Sequence, residues 1–256
     1  MGMIPTVRNP VLAAAAALVG LTCGGIPVWG QNNPVTIHMA VQKPAAAAKT
    51  EKSAKTATDA SEIVVWLKPL DAGAMSDVAD ASSHRKVQLV QHNKTFQPHV
   101  LVVPVGTVVD FPNRDPFFHN VFSLFDGKRF DLGLYEAGAS NSVRFDRLGV
   151  SFLFCNIHPE MSAVVVAVDT PYYGLSDRRG IVTIQNVPDG KYELHVWYER
   201  SLPEDVNNLA RAVTVSSASR DLGTINVPEN PSFTTAHKNK YGQDYTPPPT
   251  PSYSHP

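Results

Sequence analysis

Short runs of β-branched and aromatic residues, separated by turn residues, recur along most of the chain. Examples are Ile63 to Leu67, Ser142 to Phe145 and Val150 to Cys155. No stretch shows helical periodicity of any length, and many short strands at this spacing are typical of an antiparallel β-sandwich or barrel. The pattern therefore predicts an all-β protein. The last two of these runs are separated only by residues 146–149, which predicts that they pair as a hairpin.

The first 30 residues have the pattern of a secretory signal peptide. Arg8 supplies a weak positive charge, and Val11 to Cys23 forms an apolar segment too short to span a bilayer. An uncleaved N-terminal anchor is the alternative interpretation, and a lipidated Cys23 is a weaker one. We expect an exported protein, located in the periplasm, at the cell surface or outside the cell, with no membrane span after cleavage.

Two further segments lack the large apolar residues that a packed core requires. Residues 31–61 are rich in Ala, Lys and Thr, and residues 229–256 are rich in Pro, Thr and Tyr. The sequence predicts a disordered linker for the first and a disordered tail for the second. Between them, residues 62–83 are predicted as a strand followed by a loop.

Cys155 is the one cysteine that would remain after signal cleavage. A lone thiol cannot form an internal disulfide, and in an oxidising compartment it is normally a liability. Metal ligation would resolve this problem, because a coordinated thiolate is held away from oxidation. The alternative is a buried cysteine that acts as a small hydrophobic residue.

Three soft or borderline metal ligands follow one another in the segment Cys155-Asn-Ile-His158-Pro-Glu-Met161. A thiolate with two imidazoles and a weak axial methionine is the ligand set of blue-copper electron-transfer sites. His119, which follows a turn-like segment, is the best source of the second imidazole. We therefore expect one mononuclear copper ion bound by His119, Cys155, His158 and Met161.

Residues 84–169 also resemble the cupredoxins, the family of plastocyanin, pseudoazurin and amicyanin. The resemblance is carried by Phe96-x-Pro98, Phe111-x-Asn113, His119-Asn120-Val121 and the Cys-x-x-His-x-x-Met segment. It implies a Greek-key β-sandwich, one type 1 copper ion with the same four ligands, and exit of the electron through His158, with Phe118 and Pro159 around it. One position departs from the family, because Asn156 stands where these carriers usually have the Ser or Thr that links the two ligand loops.

Residues 170–228 resemble a transthyretin-like or carboxypeptidase-regulatory β-module. The similarity rests on the segment from Gly180 to Trp197, which marks a fold and no activity. These few strands could hardly bury a core alone. In one interpretation Ile63 to Leu67 belongs to this module and the cupredoxin is inserted within it.

Together these features predict an exported one-electron carrier that exchanges electrons with a redox partner protein. No nucleophile elbow, phosphate loop or zinc-hydrolase helix is present, so we expect no enzyme activity. The net charge of -1 argues against nucleic-acid binding. The alternatives are a copper-binding module for storage, delivery or sensing, and a structural β-module with an empty site. The oligomeric state stays open.

Overall fold

The computed structural model describes residues 1–2, 34–43, 59–71, 86–124 and 126–245. Almost all of the predicted signal peptide therefore lies outside the described residues. The described regular structure is strand except for one short helix, α1 (Pro203–Asn207), which confirms the all-β prediction. Within this part of the chain, no helix has both the length and the apolar character needed to cross a membrane.

The first of two sandwiches is built from strands within the predicted cupredoxin region. Its larger sheet has five strands, in spatial order β6 (Val100–Pro104), β12 (Ser162–Val168), β11 (Gly149–Phe154), β8 (His119–Ser123) and β9 (Phe130–Tyr135). Its smaller sheet consists of β10 (Ser140–Arg144), β7 (Val108–Pro112) and β3 (Val87–Gln88), next to the hairpin of β4 (Val90–His92) and β5 (Thr95–Gln97).

The predicted hairpin between residues 142–145 and 150–155 is wrong. β10 pairs with β7 in the smaller sheet, whereas β11 pairs with β12 and β8 in the larger one. The connection between them, residues 145–148, therefore crosses from one sheet to the other. Alternating hydrophobicity indicates that a segment is a strand, but it does not identify the partner strand.

β12 is buried on both faces because its residues alternate between two cores. Ala163 and Val165 pack with Phe111 and Leu153 inside the first sandwich. Val164, Val166 and Val168 point the opposite way, into a second cluster with Val64 and Val100. A strand that is apolar on both faces is expected only where both faces are covered.

The second sandwich covers that outer face. One of its sheets has the order β13 (Tyr173–Leu175), β2 (Val64–Pro69), β15 (Gly190–Trp197) and β16 (Arg211–Val215), and the other has β14 (Ile181–Ile184), β1 (Val35–Gln42) and β17 (Asp221–Pro228). β2 pairs with β13 and β15, although the ten strands β3 to β12 lie between β2 and β13 in the chain. The first sandwich is thus inserted between two paired strands of the second.

The prediction of a disordered linker over residues 31–61 is wrong for β1. Val35, Ile37 and Met39 are buried in the core of the second sandwich, and β1 pairs with both β14 and β17. The physical reason is the period-two alternation of apolar residues in this segment, which is short but sufficient for a strand that is buried on one face.

The prediction of a disordered tail is also wrong, for residues 229–245. The Glu229 N–H donates to the Gln42 carbonyl at 3.0 Å, and the Asn230 N–H donates to the Arg200 carbonyl at 2.7 Å. Later residues of this segment contact the first sandwich, where their polar side chains and main-chain groups find partners. The Pro-rich run from residue 247 lies outside the described residues.

Candidate metal centre

His119 is the first residue of β8 and is completely buried. The turn that precedes it is organised by Asn113, whose side-chain oxygen accepts from the Asp115 N–H at 3.0 Å. The Asn113 amide also donates to the Phe117 carbonyl at 2.8 Å. These bonds fix the turn so that His119 enters the sandwich with its ring facing inward.

Cys155 and His158 lie on the connection between β11 and β12, which we call the ligand loop (residues 155–161). The loop is closed by two main-chain hydrogen bonds, from the Cys155 N–H to the Met161 carbonyl at 3.2 Å and from the Met161 N–H to the His158 carbonyl at 3.1 Å. Because the loop is short and closed, the two ligand side chains are held on one side of it, next to β8.

Three predicted ligand atoms converge at this point. The Cys155 Sγ lies 3.8 Å from the His119 Nδ1 and 3.5 Å from the His158 Nδ1, and the two Nδ1 atoms are 3.1 Å apart. A metal ion could be held by a group of at least three His, Cys, Asp or Glu side chains. Among the described residues, His119, Cys155 and His158 form the only such group. The side chain of Met161 is fully buried in the same core as Cys155.

Asp115 holds the far side of the His119 ring, a role that the sequence did not reveal. Its Oδ2 accepts from the His119 Nε2 at 2.7 Å, and both groups are buried. A carboxylate can only accept here, so Nε2 carries the proton and the Nδ1 lone pair faces Cys155 and His158. Burial pushes the pKa of Asp115 upward, but the N–H groups of Lys94 and Asn93 and the His119 ring outweigh it, and the pKa lies below its ordinary value.

In contrast to Asp115, the Cys155 thiol and the His158 imidazole are shifted toward their neutral forms. Burial raises the pKa of the Cys155 thiol, although the backbone N–H groups of Asn120, Ile157 and His158 oppose the shift. Burial lowers the pKa of His158, and the nearby His119 lowers it further. The imidazole of His158 is therefore neutral near pH 7, as a metal ligand must be, whereas the Cys155 thiol must lose its proton when a metal binds.

This donor set fits copper. One thiolate and two neutral imidazoles suit soft or borderline ions and do not suit magnesium, calcium or manganese, which prefer oxygen ligands. The three ligand atoms lie 3.1 to 3.8 Å apart, so one ion at ordinary metal–nitrogen and metal–sulfur distances of about 2.0 to 2.3 Å could contact all three.

Aromatic side chains surround the cluster unequally. The ring of Phe117 packs against both imidazoles, with centroids 5.2 Å from His119 and 5.5 Å from His158. Phe118 is 55% exposed, Pro159 is exposed and His158 is only half-buried. The site is therefore covered on the His119 side, and its approach to solvent is at His158.

His99 lies apart from this cluster and bonds to other groups. Its Nδ1 contacts the Ser162 carbonyl at 3.1 Å and its Nε2 contacts the Glu199 carboxylate at 2.7 Å. These bonds give His99 a structural role between the two sandwiches. His92, the last residue of β4, is exposed, and its Nδ1 lies 3.7 Å from the buried Asp115 carboxylate.

Comparison with solved structures finds copper proteins over part of the chain. Cu-containing nitrite reductase (NirK) from Thermus scotoductus SA-01 is 25% identical over 34% of this chain and 23% of that chain, with a TM-score of 0.32. A purple cupredoxin from Nitrosopumilus maritimus is 25% identical over 32% of this chain and 100% of that chain, with a TM-score of 0.30. The matched region thus spans less than a quarter of the nitrite reductase.

A copper(I) form of an amicyanin mutant is similar over a slightly longer region. It is 20% identical over 41% of this chain and 98% of that chain, with a TM-score of 0.31. No protein-family model matches the chain, and the curated proteins contain no match either. The chain itself has an all-β fold and a His-Cys-His cluster, with His119 and Cys155 buried and His158 half-buried, whose ligand atoms fit a copper ion.

Proposed function

We propose that this protein is a type 1 copper protein that carries one electron at a time. The observation that carries the proposal is the convergence of His119 Nδ1, Cys155 Sγ and His158 Nδ1 within 4.8 Å of one another, in a core that excludes water on one side. A thiolate and two imidazoles, with a methionine on the same short loop, form the set expected for blue copper.

Each residue of the site has a distinct task in this proposal. Bound copper would supply reversible one-electron chemistry between its two common oxidation states. Cys155 would bind as the thiolate, His119 and His158 would bind through Nδ1, and Met161 would be a weaker ligand that helps to set the reduction potential. Asp115 fixes the His119 ring through its Nε2 proton.

The solvent exposure of the residues around the cluster suggests where an electron would enter and leave. His158 is the only one of the three clustered side chains that is not fully buried, and the exposed Phe118 and Pro159 belong to the same end of the sandwich. We propose that a redox partner protein docks there. Export by cleavage after residue 30 and a location in the periplasm or at the cell surface belong to the same proposal.

Two other functions use the same residues differently. A module for copper storage, delivery or sensing needs copper affinity but no fast electron exchange. A structural β-module would keep the cluster without metal. Fast electron exchange at a positive potential would indicate a carrier and not a storage, delivery or sensing module. Binding of one copper ion per chain would exclude the structural module.

The decisive experiment is the visible and EPR spectrum of residues 31–256 after addition of one equivalent of Cu(II). We expect an intense thiolate-to-copper band and a narrow copper hyperfine pattern, both absent from Cys155→Ser. Copper should also raise the thermal stability of the wild type more than that of the variant. A pale, ordinary Cu(II) spectrum of the wild type would refute the proposal that the protein is a type 1 copper electron carrier.

The role of Met161 has its own test. Met161→Leu should keep copper, because three stronger ligands remain, but should shift the colour and the reduction potential. Met39→Leu is the matched control, since Met39 is buried in the second sandwich, away from the cluster. An unaltered spectrum and potential in Met161→Leu would remove Met161 from the site.

A further inference from the structure

The last described residues of the chain lie across the ligand loop. We call residues 237–245 the C-terminal strap. The Lys240 N–H donates to the Asn156 side-chain oxygen at 3.0 Å, and the Tyr245 hydroxyl donates to the Cys155 carbonyl at 2.7 Å. The strap therefore bonds to a proposed copper ligand and to the residue that follows it.

The strap has a defined conformation of its own. The Asn239 side-chain oxygen accepts from the Tyr241 and Gln243 N–H groups at 2.9 and 3.0 Å, which folds the segment into a tight turn. The ring of His237 stacks on Phe154 with centroids 4.2 Å apart. Its Nδ1 lies 3.2 Å from the Tyr245 hydroxyl, so the two ends of the strap are tied together.

The strap also reaches β9, the strand that pairs with β8 and therefore lies beside the strand that carries His119. The Lys240 Nζ lies 2.7 Å from the Asp131 Oδ2. The second oxygen of that carboxylate accepts from the Asn120 amide at 2.8 Å, and Asn120 directly follows His119. A continuous series of hydrogen bonds thus runs from Asn120 through Asp131 and Lys240 to Asn156.

This series takes the place of the link that the cupredoxin resemblance leads one to expect. There, a Ser or Thr after the ligand cysteine would bond to the residue after the first ligand histidine. Here Asn156 accepts from the strap instead, and the Asn120 amide donates to Asp131 and to the Gly133 carbonyl at 2.9 Å. The two ligand segments are joined through a third segment of the chain.

We propose that the C-terminal strap is a positioning element of the metal centre, which holds the ligand loop in its metal-binding conformation before any metal is present. The inference that the strap serves metal binding rests on the proposed copper function. The effect of the strap on the conformation of the ligand loop can be measured in the metal-free chain. Lys240 and Tyr245 are positioning residues, because they act on the loop that carries Cys155 and touch no ligand atom.

The size of the effect follows from the bonds that are lost. One hydrogen bond of this kind changes the balance between a closed and an open loop by roughly fivefold. Partners that orient metal ligands typically change metal affinity by about 10-fold or more. Loss of the whole strap should therefore weaken copper binding measurably without unfolding the sandwich.

The test uses four variants of the mature chain. A stop after Thr235 removes the strap and keeps the contact between Arg200 and the ring of Phe233. Tyr245→Phe removes the bond to the Cys155 carbonyl, Lys240→Met removes the contact with Asp131, and Lys240→Arg keeps a cation there. The matched controls are a stop after Tyr245 and Lys128→Met, which breaks a surface ion pair with Asp146 on the same sandwich.

The first measurement is amide hydrogen exchange of residues 155–161 in the metal-free protein. The stop after Thr235 should speed this exchange about fivefold or more. Tyr245→Phe and Lys240→Met should each speed it to a smaller extent. Lys240→Arg and the two control variants should exchange at the wild-type rate. The second is Cu(I) affinity by competition with a chelator, with an expected loss of about 10-fold, together with a shift of the Cu(II) spectrum.

The outcomes separate this inference from the copper proposal. A wild-type protein without a blue spectrum refutes the copper proposal, while exchange in the metal-free chain still decides the strap. The inference about the strap is overturned if the wild type is blue and loss of the strap leaves the amide hydrogen exchange of residues 155–161, the Cu(I) affinity and the Cu(II) spectrum unchanged. If the stop after Thr235 does not fold, the comparison of Tyr245→Phe and Lys240→Met with the controls decides in the same way.

Discussion

Asp115 determines how a single residue, His119, presents itself to the cluster. Without an acceptor on Nε2, either ring nitrogen of a neutral histidine could carry the proton. The buried carboxylate places the proton on Nε2 and directs the Nδ1 lone pair toward Cys155 and His158. A residue that would not itself bind the metal therefore orients this proposed ligand.

Asp115→Ala should reduce copper affinity by about 10- to 100-fold, because the ring of His119 loses its fixed orientation. It should also lower the free energy of unfolding by about 1 to 3 kcal/mol, since a buried donor is left without a partner. Chelator competition and urea unfolding measure the two effects. Asp115→Asn should recover part of the copper affinity. Asp146→Ala, on the surface, should change neither the copper affinity nor the free energy of unfolding. Equal copper affinity of Asp115→Ala and the wild type would contradict the proposed role of Asp115.

The sequence was sufficient to predict that the side chains of His119, Cys155 and His158 come together, but it did not reveal the residues that hold them in place. Cys155, His158 and Met161 share one short segment, so their proximity follows from chain connectivity. Asp115 precedes His119 by four residues and could have been noticed, but only the folded turn brings its carboxylate to Nε2. Tyr245 is 90 positions from Cys155, and no local pattern predicts a contact at that separation.

At the scale of the element, β1 shows how composition can conceal a strand. The segment from Val35 to Gln42 alternates apolar and polar residues, but the Ala- and Lys-rich sequence that follows dominated the prediction for the whole region. The opposite error concerned residues 142–155, where two correctly predicted strands were assigned to each other. Strand identity is local information, whereas pairing depends on the whole fold.

Ile37→Ala should lower the free energy of unfolding by about 2 to 4 kcal/mol, because Ile37 is fully buried in the second sandwich. Urea unfolding of the metal-free protein provides the measurement. The matched control is His38→Ala, since the neighbouring side chain points to the other face and is 46% exposed. Equal stability of Ile37→Ala and the wild type would show that β1 is not part of the folded core.

At the scale of the whole molecule, the two sandwiches are joined by apolar and polar contacts. Val64 and Trp66 of the second sandwich pack against the outer face of the five-stranded sheet. Beside this cluster, His99 bonds to Ser162 on its own sandwich and to Glu199 on the other. Both ring nitrogens of His99 face acceptors, which favours its protonated form.

This contact makes stability depend on pH. The hydrogen bond to Glu199 raises the pKa of His99 above its ordinary value of 6.5, against the effect of burial and with help from the charges of Glu199 and Glu62. A raised pKa in the folded state means that protonated His99 stabilises the fold. That stabilisation is complete below the ordinary pKa and is lost as the pH rises through the folded-state pKa.

Glu199→Gln should therefore lower the free energy of unfolding by about 1 kcal/mol at pH 6 and by less at pH 8. Urea unfolding of wild type and variant at both pH values gives the comparison. His195, which bonds to Glu193 on the surface of the second sandwich, offers the control Glu193→Gln. A difference between Glu199→Gln and the wild type that is the same at both pH values would exclude His99 as its source.

The place of β1 in its sheet also determines when this protein can fold. β1 precedes its two neighbours, β14 and β17, by all the strands of the first sandwich. Contacts between segments so far apart form slowly, because a long loop must close before they stabilise anything. The second sandwich can therefore be completed only after every strand of the first sandwich has been synthesised.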